Sequence, residues 1–211
     1  MLAVPRMRGY GHREEQPHMN EQLISLFREH IASSAPLDEI DAAAARIAAA
    51  VGGSSPHLAL TASVAGAYQV LLRRLPRAEA LSVVARAFHE PIRPYVHDGT
   101  RAALDAADDP FAVITGFSKD REENYFGDDF SFSRVEDSSR YLVDVRRCFY
   151  VRVLDVAGVP ELGTVFCEFD AAWISAIDRD RHGVDFQRPT TIARGGATCP
   201  FHFRRVTPES P

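Results

Sequence analysis

The chain is poor in cysteine and contains no long apolar run, and each shortage removes a class of protein. No stretch of about 18 consecutive apolar residues occurs in the 211 residues, so a membrane-spanning helix is not expected. The opening MLAVPRMRGYGHREEQPH lacks the continuous apolar centre of a secretory signal, which leaves a cytoplasmic protein without a membrane partner as the expectation. Three cysteines, Cys148, Cys167 and Cys199, are odd in number and widely spaced, which argues against a disulfide framework and for reduced thiols. No CxxC or HxxxH spacing is present, so neither a metal nor another cofactor is expected, and the alternative is a zinc site built from dispersed thiols. Basic residues form no cluster interleaved with aromatics, and the formal net charge is −5; nucleic acid is therefore not an expected partner. A small molecule is, with the oligomeric state left open.

With 45% hydrophobic residues the chain has enough apolar material for a sizeable core. Residues 1–18 mix Pro, Gly, Arg and His without period and read as a mobile arm ahead of a single domain over 19–211. From Met19 to Asp109 the pattern is helical. Leu23, Ile24, Phe27 and Ile31 form one stripe, Leu37, Ile40, Ala44, Ile47 and Val51 a second, Val64, Tyr68, Leu71 and Leu75 a third that Pro76 stops, and Leu81, Val84 and Phe88 a fourth. Pro91 and Pro94 are expected to end that fourth helix, with Thr100 capping a short one over RAALDAA. At Phe111 the character changes. FSFSRV and YLVDVRRC alternate as strands; in CFYVRVLDVAGVPELG the β-branched residues suit a strand while Phe149, Val153 and Val156 suit a helix closed by Gly158, the favoured reading; and TVFCEFDAAWISAI reads as a helix capped by Thr164. The last segment, GVDFQRPTTIARGGATCPFHFRRV, reads as short strands turned at Gly195-Gly196. Helices first and strands later predict an α+β fold: N-terminal helices packed on a C-terminal antiparallel sheet that carries two further helices.

On a helix, Cys167 and Asp170 share a face, so the two could act together; the plain alternative is a packed thiol beside a carboxylate that bonds backbone or an arginine. Cys199, alternating with Phe201 and Phe203, belongs to the core face of its strand and His202 to the other, which gives no local Cys/His dyad. Cys148 follows Arg146-Arg147 at a strand end. Glu161 lies in a turn, where burial would let it carry a proton at neutral pH and exposure would leave it a solvated carboxylate. RPTTIARGG brings Arg188, Thr190, Thr191 and Arg194, of which an arginine could grip a carboxylate in bidentate fashion.

Taken in order, RRCFYV, GVPELGTVFCEFD and RPTTIARGGATCPFHF resemble the signature of the L-2-amino-thiazoline-4-carboxylic acid hydrolase family over roughly residues 140 to 205. The family pattern has a cysteine after a strand, a Glu-Leu turn, a Cys-x-x-Asp helix, a threonine-bearing strand and a final cysteine, matched here by Cys148, Glu161-Leu162, Cys167 with Asp170, Thr190-Thr191, and Cys199. Pro200 stands where the pattern has an aspartate. The resemblance implies a metal-independent hydrolase that opens a small carboxylate-bearing cyclic amidine or thiazoline, or a relative acting on a similar heterocycle. Asp170 and Glu161 would then serve proton transfer or amidinium binding, and Cys167 would be nucleophile or pocket wall. Arg147 or Arg194 would anchor the carboxylate, and Cys148, Thr190, Thr191 and Cys199 would lie against the substrate. A similar cysteine and glycine layout occurs in four-vinyl-reductase-type ligand-binding domains, which implies as alternative a module that binds a small molecule or tetrapyrrole without turnover.

Overall fold

A computed structural model describes residues 16–206. Ten helices are described: α1 Gln16–Ile31, α2 Leu37–Val51, α3 Pro56–Leu72, α4 Arg77–His89, α5 Arg93–Asp105, α6 Pro110–Asp120, α7 Phe149–Val156, and the short α8 Gly163–Glu168, α9 Ala171–Ile174 and α10 Arg179–His182. The strands are β1 Ser131–Glu136, β2 Arg140–Arg147, β3 Val184–Gln187 and β4 Cys199–Arg205. All are antiparallel in the order β1-β2-β4-β3, which completes the expected α+β architecture.

α3 is apolar or small nearly all round, which suits only a central position. Its start is fixed by Ser55, whose Oγ accepts from the His57 N–H at 3.1 Å, and by Pro56 in the first turn. α1, α2, α4 and α7 surround it. Gly66 lets α2 and α3 cross closely: a Cβ there would lie 2.9 Å from Ala44 N and Ile40 O. The first core joins Phe27, Ile31, Ile40, Tyr68 and Leu71 to Phe149, Val153, Leu154, Leu162 and Phe166, so it draws on both ends of the chain. A second core sets Leu104, Phe111 and Ile114 against Tyr141, Val143, Phe203 and Trp173 on the inner face of the sheet. The register pairs Val145 with Cys199, Val143 with Phe201 and Tyr141 with Phe203, as strand alternation expects.

Several boundaries differ from the sequence expectation. Residues 1–15 of the expected arm lie outside the described residues, and α1 begins at Gln16, ahead of Met19. Pro94 does not end a helix; it sits in the first turn of α5, where its missing N–H costs nothing, so Thr100 is mid-helix rather than a cap. Phe111 opens no strand region. Asp109 caps α6 by accepting from the Ala112 N–H at 3.1 Å, Pro110 starts it, and the helix runs into a π-helical turn, Arg121–Phe126. The helix expected from Thr164 is two helices, α8 and α9, broken around Asp170, and the Thr164 hydroxyl donates to Glu161 O at 2.9 Å instead of capping. Among the described residues no helix is long and apolar enough to cross a membrane.

Candidate active site

Three elements carry the cysteines to one place. Cys148 caps α7 where β2 ends, Cys167 sits in α8, and Cys199 begins β4 beside Val145. Burial pushes the Cys148 thiol up to about 12, and the neighbouring Cys199 and Cys167 add to the effect. Cys199 is raised as well, first by burial, although the Ile192 N–H donates to its Sγ at 3.0 Å. Both are neutral thiols at neutral pH. Among the described residues, no three His, Cys, Asp or Glu side chains converge in a metal-binding arrangement.

Beside the thiols lies Asp170, in the break between α8 and α9. Trp173 Nε1 donates to its Oδ1 at 2.9 Å, Arg188 Nη2 stands 3.3 Å from Oδ2, and Arg121 Nη2 3.7 Å from Oδ1. Arg188 follows β3, donates through Nη1 to Cys167 O at 2.9 Å, and lies 4.3 Å above the Phe201 ring. Arg121 opens the π-helical turn, a distortion common at functional sites. That turn is anchored by the next residue: buried Glu122 accepts from Tyr141 Oη at 2.6 Å, Ser118 Oγ at 3.1 Å and Arg134 Nη2 at 3.1 Å. The side chains of Arg188, Asp170 and Arg121 are 12%, 14% and 27% exposed, so the carboxylate meets both guanidiniums in a sheltered place. Arg188 Nε and Thr191 Oγ1, three residues apart in the chain, are buried without a hydrogen-bond partner among the described residues.

Other expected site residues lie elsewhere. The Glu161 carboxylate accepts from Tyr68 Oη at 2.9 Å and from Arg77 Nη1, which ties the turn before α8 to α3 and α4. Arg147 is exposed and donates to Asp128 O at 3.1 Å. Arg194, 57% exposed, faces Glu168 at 3.4 Å. The arginines that meet Asp170 are Arg188 and Arg121. Thr190 packs against Gly196, where a Cβ would lie 2.6 Å from its Oγ1, and this keeps the turn before β4 tight. A depression of about 200 Å³ is lined by His89, Arg93, Glu168, Phe169 and Ala171 among others; its lining includes neither Asp170 nor a cysteine.

The model of the L-2-amino-thiazoline-4-carboxylic acid hydrolase family matches residues 57–203. The chain belongs to this family. It has no match among curated proteins or solved structures. The thiazoline acid hydrolase match spans Arg121, the three cysteines, Asp170 and Arg188. Pro200 departs from the family pattern on the other face of the sheet: it pairs with Asp144 and alternates with Cys199, so an aspartate there would point away from the thiols. His202 shares that far face, 3.3 Å from Asp144. Arg121 had no signal in its immediate sequence; a helical reading of PFAVITGFSKD would have placed it at a helix end.

Proposed function

We propose that this chain hydrolyses a small, carboxylate-bearing cyclic amidine of the 2-amino-thiazoline-4-carboxylate type at the Arg121–Asp170–Arg188 cluster. The observation that carries the reading is the charge arrangement. Such a substrate bears an anionic carboxylate and a planar amidinium, and the cluster offers the Arg188 guanidinium for the first and the Asp170 carboxylate for the second. The unpartnered Arg188 Nε and Thr191 Oγ1 supply further polar atoms that a bound ligand would satisfy.

In the reaction, water adds to the amidine carbon between sulfur and nitrogen. The tetrahedral adduct then expels the sulfur and leaves an N-carbamoyl amino acid with a free thiol. Asp170 holds the amidinium against the attacker, and Arg188 orients the carboxylate. Cys148 and Cys199, kept protonated by burial, do not attack. Cys167 is assigned to the pocket wall, with Glu161 as a brace for its helix.

Ring opening followed by mass spectrometry on a panel of thiazolines and cyclic amidines tests this. Asp170→Asn should lower kcat by about 100-fold or more. Arg188→Met should lower kcat/KM by about 100-fold, mainly through KM. Cys167→Ser should keep at least roughly a tenth of the activity, with no substrate adduct on the wild-type peptide that contains it. Saturable binding of a large apolar ligand without loss of any panel member would instead favour a binding module.

A further inference from the structure

We propose that Tyr150 is a second reacting group of this site and that His57 positions it, the pair taking a proton from the attacking water and returning it to the departing sulfur. The inference rests on the hydrolase reading above.

His57 lies in the first turn of α3, 2% exposed, with its ring against those of Tyr125, Phe126, Phe130 and Tyr150. Its Nε2 is 2.8 Å from the Tyr125 carbonyl oxygen. A carbonyl only accepts, so Nε2 carries the proton and Nδ1 presents a lone pair. The Tyr150 hydroxyl stands 3.3 Å from Nδ1 and donates to it. The Tyr125 hydroxyl donates to Asn20 Oδ1 at 2.6 Å and lies against the Tyr150 hydroxyl, whose single proton is directed at His57. Apolar side chains would fill this space at lower cost than an imidazole and two phenols that must all be satisfied.

The pair adjoins the cluster around Asp170. Tyr150 follows Cys148 by two residues, and its ring lies 4.9 Å from that of Phe166, the residue before Cys167. Arg121, 3.7 Å from Asp170, acts electrostatically on both Tyr150 and His57. Tyr150 is half-buried as a residue, with its phenol enclosed. With its proton directed at His57, its oxygen has lone pairs left to accept from a water.

As the water oxygen bonds to the amidine carbon, one water proton passes to Tyr150 Oη and the Tyr150 proton passes to His57 Nδ1. The imidazolium is steadied by its Nε2–H bond to the Tyr125 carbonyl. The carbon–sulfur bond then breaks with its electron pair on sulfur, and the stored proton returns through Tyr150 to that sulfur. The carbinol O–H closes to the carbonyl and releases its proton to solvent, which balances the one the amidinium brought. The resting state requires neutral His57. Burial lowers its pKa and Arg121 assists, while the Tyr125 carbonyl and Asp129 pull the other way. The groups that face it are thus Tyr125 and Arg121 from the π-helical turn, Asp129 from the turn after it, Tyr150 from α7 and Ser55 before α3.

The test measures kcat, KM and their pH profiles for ring opening by the full chain, its Tyr150→Phe and its His57→Gln variants, with folding checked by thermal melts. Glutamine keeps a donor for the Tyr125 carbonyl but lacks the ring acceptor and does not titrate. Tyr150→Phe is expected to lower kcat by about 100-fold or more with KM within about threefold. Wild-type kcat is expected to fall on the acid side with a midpoint below 6.5, and His57→Gln to lose that limb. A merely structural pair would lower folded protein without changing the shape of the profile. Near-wild-type kcat in Tyr150→Phe, or an acid limb retained in His57→Gln, overturns the relay and leaves the hydrolase reading standing. Should either variant unfold, a wild-type profile that is flat on the acid side overturns it as well. No ring opening by the wild type overturns both.

Discussion

Burial draws His57 and His89 below the ordinary histidine value of 6.5, against the opposing pull of the carbonyls of Tyr125 and Val165 that their rings bond. As pH falls past 6.5 the unfolded chain takes up these protons before the folded one does. The stability that neutral burial contributes is therefore present above that value and lost as pH falls through the lower folded values. Asp105, Asp109 and Asp137 are held below 3.8 by their hydrogen bonds, and their contribution is lost in a second, more acidic step. Melting temperature followed against pH should show the first decline below 6.5, and His57→Gln with His89→Gln should flatten it; an unchanged slope in the double variant contradicts this account. At this scale the sequence was partly legible. The spacing of Cys167 and Asp170 predicts a shared helix face, but α8 ends at Glu168 and Asp170 lies in the break before α9. The partners that decide their chemistry, Arg121 and Arg188, arrive from other elements, and no local pattern links residue 121 to residue 170.

Among the elements, stripes and alternation identified α1, α2, α4 and the strands, since each buries one regular face, whereas α3 is apolar nearly all round and the β-branched residues of α7 also suited a strand. Where two signals compete, the pattern misleads. Asp-Asp-Pro before Phe111 and Pro94 both read as stops, yet an acidic cap followed by proline also starts a helix, as it does at α6. The break between α8 and α9 was hidden because Phe166, Phe169 and Trp173 keep helical spacing while they divide between the two cores. α8 in turn depends on Gly163, where a Cβ would lie 2.7 Å from the Cβ of Ala193 in the turn that presents the Ile192 N–H to Cys199. Gly163→Ala gains about 1 kcal/mol of helix propensity but overpacks this contact at a cost of about 1–3 kcal/mol, and neither Cβ can swing aside. The variant should melt lower and turn over more slowly, and adding Ala193→Gly should restore most of the melting temperature. A melting temperature unchanged in the single variant would show that the contact yields.

Across the whole molecule, helices from the first half and α7 and α8 from the second share one core, so neither part closes its apolar face alone. That packing brings the π-helical turn, the α8–α9 break and the segment after β3 to one place, where a sheltered carboxylate meets two guanidiniums. The chain belongs to the thiazoline acid hydrolase family, and the ring opening proposed for it would bring a substrate of two opposite charges to groups of both signs. The most direct measurement compares ring opening of 2-amino-thiazoline-4-carboxylate with that of the same ring lacking its carboxylate, by mass spectrometry under identical conditions. The account predicts that the carboxylate-bearing ring is opened and that its absence lowers kcat/KM by about 100-fold, the order expected for losing a charge-assisted pair. Equal rates on both rings, or no opening of either, would contradict it.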